Sequence, residues 1–200
     1  MARIDSVFAT QIYRSQLLAA RNAELERACL VLARDDRAGQ GWAKAHGYPG
    51  YTSYASLNDL PERMPEFAAL ARSIDRHIAA FARALDFGLG GRRLTLDSLW
   101  VNVMPGGGVH GGHIHPHSAI SGTYYVSVPR GASAIKFEDP RLPLMMAAPV
   151  RKANAKAANR TFVTVAPKAG TLLLWESWLR HEVPLNAAKG RRISVSFNYS

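Results

Sequence analysis

The sequence predicts a mainly β fold, a barrel or sandwich backed by N-terminal helices. Three observations carry that reading. Apolar residues recur at helical spacing up to about residue 85. The period drops to two after residue 92, and the strand-like runs that follow are separated by Gly and Pro turns. A chain of 200 residues, 48% hydrophobic and 20% charged, should bury roughly 70% of its extended surface, enough for a core without disulfides or a structural metal.

Taken in order, Leu25, Cys29 and Leu32 fall at i, i+4 and i+7 and predict a helix from about Ala20 to Arg34. Phe67, Leu70, Ala71, Ile74, Ile78, Phe81 and Leu85 then form one apolar stripe on a helix that follows Pro65 and stops at the Gly88–Gly91 cluster. Six strands are expected beyond it: Leu94–Met104, Ser121–Val128, Ala132–Glu138, Thr161–Ala166, Thr171–Trp175 and Arg192–Tyr199. In the last, Ile193, Val195, Phe197 and Tyr199 point one way while Arg192, Ser194, Ser196 and Asn198 point the other. Such a polar face normally meets water. In a barrel with a polar cavity it turns inward instead, and the apolar face packs under helices.

The single cysteine, Cys29, excludes internal disulfides and a Cys-based zinc site, and its helical apolar setting makes it a small core residue. The first twenty residues carry Arg3, Asp5 and Arg14 and lack a signal-peptide apolar run. No stretch reaches the roughly eighteen apolar residues of a membrane span. A cytoplasmic protein with no membrane partner is expected. No internal repeat and no nucleic-acid motif appears. The net charge of +10 is lopsided: residues 1–100 hold thirteen Lys/Arg against eleven Asp/Glu, residues 101–200 twelve against four. An anionic ligand is therefore expected to meet the second half. Arg151, Lys152, Lys156, Arg160 and Lys168 form a run without an acid, expected as a loop over the barrel mouth, although a solvated basic face is the simpler alternative.

The clearest chemical signal is histidine. Four of seven fall within eight positions, His110, His113, His115 and His117, in a Gly-rich and Pro-containing stretch. On a strand, His113 and His115 project to one face, so the pair can hold one metal ion. Pro116 interrupts the ladder and sets His117 apart. The only later histidine is His181, followed by Arg192 and Ser194 on the polar face of the last strand. Three protein ligands leave half an octahedral shell open for a chelating co-substrate and O2. A guanidinium deeper in the cavity can hold the far carboxylate of that co-substrate bidentately.

The stretch from Leu99 to Tyr199, with the strings LWVNVMPGG, HGGHIHPHSAISGTYYV, FEDPR, AGTLLLWESWLRHEVP and RRISVSFNYS, resembles the bacterial 2-oxoglutarate/Fe(II) oxygenases. HxHPxSxxSGxYYV is the specific element; VFATQIYRSQL resembles that group's first strand. The resemblance implies a double-stranded β-helix (jelly-roll) barrel, mononuclear Fe(II), and 2-oxoglutarate held by metal and arginine. It places His113, His115 and His181 at the metal, and Arg192 with Ser194 at the far carboxylate. The implied reaction hydroxylates a small-molecule or peptide substrate with decarboxylation of 2-oxoglutarate to succinate. One domain, 1–200, is expected, with 1–92 an N-terminal strand and supporting helices and 93–200 the barrel. The wider superfamily pairs its first histidine with Asp or Glu, and no carboxylate occurs between Asp97 and Glu138. The third ligand is thus His115, or Glu138 or Asp139 arriving from a later strand. Asn102 shares a strand face with Trp100 and is a candidate donor to a metal-bound carboxylate. Of Tyr124 and Tyr125, which face opposite ways, Tyr124 is assigned to the cavity. Trp175 and Trp178 are assigned to the core. The competing readings are a cupin-type dioxygenase or isomerase without 2-oxoglutarate, and a non-enzymatic, metal-stabilised anion-binding module.

Overall fold

The structure, a computed structural model, describes residues 2–17, 21–141 and 144–200. Its centre is a six-stranded antiparallel sheet. The strands in chain order are β1 (Ile12–Gln16), β2 (Tyr51–Thr52), β3 (Leu96–Met104), β4 (His110–His113), β5 (Ile120–Ser127), β6 (Ile135–Glu138), β7 (Phe162–Val165), β8 (Thr171–Glu176), β9 (His181–Val183) and β10 (Arg192–Tyr199). The large sheet runs β1-β8-β5-β10-β3-β2, and a smaller one runs β4-β9-β6-β7. Two antiparallel sheets face to face form the double-stranded β-helix. All six strands expected from the alternation are present, with ends displaced by up to three residues.

Parity decides what each face of the large sheet does. Ile193, Val195, Phe197 and Tyr199 join Leu99, Val101, Val103, Ile120, Tyr124 and Leu174 in a core completed by two helices. These are α1 (Asn22–Asp35) and α4 (Pro65–Ala84), which contribute Leu25, Cys29, Phe67, Ile74, Ile78 and Phe81. Cys29 is fully buried there. Ala20, the expected start of the first helix, lies outside the described residues. The opposite face looks across to the small sheet, and Tyr125, Leu173 and Trp175 meet Ile135, Phe137 and Val165 between the layers. The polar side of β10 is therefore the inner one. Arg192, Ser194 and Asn198 are buried, the inverted arrangement of a barrel with a polar interior.

Close packing on the helix side explains one residue of the HxHPxSxxSGxYYV string. Gly122 pairs with Phe197, and a Cβ there would sit 2.5 Å from the Phe197 ring and 2.7 Å from the Leu173 carbonyl oxygen. Only glycine leaves room for that ring.

Among the short helices that did not show in the sequence pattern are α2 (Arg37–Ala45) and α3 (Leu60–Arg63). Helix α2 contains Gly39 and Gly41 (RAGQGWAKA), which weaken an isolated helix. Tertiary contacts override that. Asp36 caps α2 by accepting the Gly39 amide at 3.0 Å, and it also accepts from Tyr51 Oη at 2.9 Å and Ser56 Oγ at 2.6 Å. One carboxylate thereby ties the helix to β2 and fixes the turn that carries Tyr48. Among the described residues no helix is long and apolar enough to cross a membrane.

Candidate metal centre

The histidine cluster enters the barrel on β4 and continues past it. The strand ends at His113, so the expectation that His113 and His115 share one strand needs correction. His115 lies beyond the strand because Pro116 has no amide hydrogen to extend the ladder. Proline also keeps the residue before it extended, so the alternation survives, and the His115 amide still donates to the Ser177 carbonyl at 3.0 Å. His181 opens β9 directly opposite His113. The result is a group of three: ligand atoms of His113, His115 and His181 all lie within 4.8 Å of one another. His115 Nε2 and His181 Nε2 are 3.3 Å apart.

Backbone carbonyls set the tautomers. His113 Nδ1 faces the Gly111 oxygen at 2.7 Å, and His181 Nδ1 faces the Leu179 oxygen at 2.9 Å. Each Nδ1–H donates, which leaves the Nε2 lone pair free on the other side of the ring. Burial pushes His115 down to about 4 and His181 to about 3, reinforced by neighbouring histidines, and lowers His113 as well. All three are neutral donors at pH 7, the form a metal needs.

No carboxylate belongs to the group. Glu138 pairs with Arg180 at 3.0 Å and Asp139 with Arg141 at 2.7 Å. The alternative of a carboxylate ligand from β6 is therefore not realised among the described residues. His117 is exposed with φ of 70° and stays outside. His110 lines the same cavity, stacked on His113 with ring centroids 4.4 Å apart, and Tyr48 meets it edge-on at 5.6 Å.

Across the cavity stands Arg192, 3% exposed. It makes no salt bridge among the described residues, and its Nε has no hydrogen-bond partner. Its guanidinium sits 4.9 Å from the centre of the Tyr125 ring. Ser194 and Asn102 are register partners on β10 and β3 and both line the cavity. Asn102 donates to Ser196 Oγ at 3.1 Å. Arg191 lies on the opposite face, exposed.

Tyr124 is a correction. It faces the helices, where its hydroxyl donates to Asn22 at 2.5 Å, and Tyr125 takes the inner position. The signal was present: Ser121 and Thr123 are the polar residues of β5, and Tyr125 shares their parity. Tyr125 is fully buried and its hydroxyl has no partner among the described residues. Trp175 is core as expected, edge-on to His181 at 4.7 Å, its Nε1 also unpartnered. Trp178, expected in the core, is 46% exposed because it lies in the turn between β8 and β9. The basic run is also displaced. Ala157–Arg160 line a separate cavity together with residues 4–10, and the metal cavity contains none of the run.

The site tests well for an Fe(II) centre with a bound dicarboxylate. Three neutral imidazoles are a donor set that borderline divalent metals accept. Three buried donors, Arg192 Nε, Tyr125 Oη and Trp175 Nε1, have no acceptor among the described residues, which is the pattern an anionic ligand would complete.

The family model described as "Putative 2OG-Fe(II) oxygenase" matches residues 98–198, just over half of the chain and every residue of the three-histidine group. No curated protein shows a sequence match. Solved structures share the fold. A prolyl-4-hydroxylase from Pseudomonas putida aligns with TM-score 0.59 and 14% identity, covering 95% of this chain and 92% of that one. HygX from Streptomyces hygroscopicus, with nickel, 2-oxoglutarate and hygromycin B bound, gives 0.61 and 18%, covering 96% and 83%. The epimerase SnoN, in complex with Fe3+, alpha ketoglutarate and nogalamycin RO, gives 0.64 and 19%, covering 95% and 78%. With its double-stranded β-helix, its three-histidine metal site and the matched segment that contains that site, this chain belongs to the 2OG-Fe(II) oxygenase family of enzymes.

Proposed function

We propose that the protein hydroxylates a small organic molecule or peptide while decarboxylating 2-oxoglutarate to succinate. In this reading His113, His115 and His181 hold Fe(II). Arg192 and Ser194 hold the far carboxylate of 2-oxoglutarate, with Asn102 and Tyr125 beside them. The observation that carries it is Arg192, buried and without a salt bridge among the described residues, in the same cavity as the histidine group. A guanidinium without a counter-ion in a dry interior is costly unless a ligand supplies one. A dicarboxylate long enough to reach both ends of this cavity meets that need. HygX and SnoN hold small organic molecules, and a small organic substrate is the first to try here.

The iron, when bound, supplies O2 activation coupled to oxidative decarboxylation. The chain supplies the rest. Gly111 and Leu179 carbonyls hold two imidazoles in the donor tautomer. Arg192 offers a fork that fixes the far carboxylate in both position and plane. Ile135 and Trp175 line the cavity with apolar surface, and Phe137 packs behind them, so these contacts act at low dielectric. Helices α1 and α4 brace the back of the sheet and make 1–92 and 93–200 one working domain. The test is succinate release from 2-oxoglutarate by protein reconstituted with Fe(II) in air, against iron-free and His181→Ala controls. Metal-dependent turnover of a substrate without succinate would instead select a cupin-type reaction.

A further inference from the structure

Charge around the centre has a consequence beyond ligand identity. No Asp or Glu among the described residues lines the cavity shared by the histidine group and Arg192. Of the four acids in the second half of the chain, three are engaged on other faces: Glu138 with Arg180, Asp139 with Arg141, and Glu182 with Lys136 at 2.9 Å. A divalent ion on three neutral imidazoles keeps its full charge of two. The buried Arg192 adds a third positive charge, with no acid among the described residues to offset it. Like charges in a water-poor cavity repel strongly, and buried ions need partners.

We infer that the dicarboxylate is the charge-compensating ligand of this centre, so that the protein holds its metal far more tightly when the dicarboxylate is bound. The inference rests on the function proposed above. One carboxylate would halve the charge on the metal side and the other would offset the guanidinium, so three positive charges fall to one. Either ligand alone meets an uncompensated cavity; together they close it. Binding linkage is reciprocal, so the factor by which the dicarboxylate tightens metal binding equals the factor by which metal tightens dicarboxylate binding. Metal occupancy then follows the level of the dicarboxylate, which makes loading of the centre responsive to supply of the co-substrate. In a site with a carboxylate ligand the metal would already be partly neutralised, and the dependence would be weaker.

The experiment uses Mn(II) and the full chain. Free Mn(II) is read by its electron paramagnetic resonance signal with and without saturating 2-oxoglutarate, and binding of radiolabelled 2-oxoglutarate is followed separately by equilibrium dialysis. The expected result is an Mn(II) dissociation constant lowered by about 100-fold or more, roughly 2.7 kcal/mol of coupling. His115→Asp, which places a carboxylate in the donor set, should bind Mn(II) more tightly without 2-oxoglutarate and show coupling below about 10-fold. Arg192→Met, which removes the opposing cation without touching the ligands, should also tighten binding of Mn(II) alone and keeps the test decisive if His115→Asp does not fold. A wild-type protein that binds 2-oxoglutarate yet changes its Mn(II) affinity by less than about 5-fold overturns the coupling and leaves the function standing. Absence of 2-oxoglutarate binding at every Mn(II) concentration sinks the function itself.

Discussion

Replacing Arg192 separates ligand binding from stability in opposite directions. In the structure the guanidinium is 3% exposed, has no carboxylate partner among the described residues and leans on the Tyr125 ring. Removing it leaves the far carboxylate of 2-oxoglutarate buried and unpaired, which costs on the order of 2–5 kcal/mol, roughly 30- to several-thousand-fold in affinity. The same change relieves the ligand-free protein of a buried, unpaired cation. Arg192→Met, close in volume, should therefore lose 2-oxoglutarate binding while the ligand-free protein gains stability. A gain of about 1 kcal/mol would raise Tm by about 2–4 °C in a chain of this size. Isothermal titration of the Ni(II)-loaded protein with 2-oxoglutarate reads the first effect, and thermal unfolding of the ligand-free protein the second. Arg192→Lys should recover only part of the affinity, since a point charge cannot reproduce the fork. Arg191→Ala, on the outer face, should stay within a factor of two. Unchanged 2-oxoglutarate affinity in Arg192→Met, together with a lower Tm, would refute the argument and make Arg192 a structural residue.

His113→Ala, His115→Ala and His181→Ala should each lower bound Fe(II) at least ten-fold by metal analysis, while His117→Ala, exposed and outside the group, should change nothing. Full metal retention in His115→Ala would reopen the question of the third ligand. The metal-free protein should lose stability as pH falls from 6.5 towards 4, because unfolded histidines take up protons there while buried His115 and His181 do not. The slope is up to about 1.4 kcal/mol per pH unit for each histidine. Urea unfolding at several pH values checks it, and His181→Asn should flatten the curve; an identical slope in that variant would contradict the assignment. Gly122→Ala should destabilise by about 1–3 kcal/mol through its clash with Phe197 and the Leu173 carbonyl, and a neutral result in denaturant melts would show that the ring moves freely.

Much of the barrel was legible because its strands obey a simple alternation. β10 displays it most plainly, and the inward turn of its polar face follows from the helices that need an apolar surface to cover. The long stripe of α4 was legible for the same reason. Helix α2 was not: its glycines mask a helix whose stability comes from Asp36, Tyr51 and Ser56, contacts between distant parts of the chain. Tyr48 reaches the cavity on the turn after that helix, so its place in the wall was hidden with it. The histidine group was legible by residue type and parity, even though β4 stops at His113. Tyr124 was misplaced because its parity was judged alone, when Ser121 and Thr123 on the same strand already marked Tyr125 as inward. The exclusion of Glu138 and Asp139 depended on which arginines lie beside them, and neither alternation nor spacing encodes those pairs.

The most direct test of the central claim is an anaerobic titration of the Fe(II)-loaded protein with 2-oxoglutarate, followed by the visible charge-transfer absorption of the chelate. The wild-type protein should develop that band with one equivalent each of iron and 2-oxoglutarate, and His181→Ala should not. Iron bound at one equivalent with no band at any 2-oxoglutarate concentration would contradict the account.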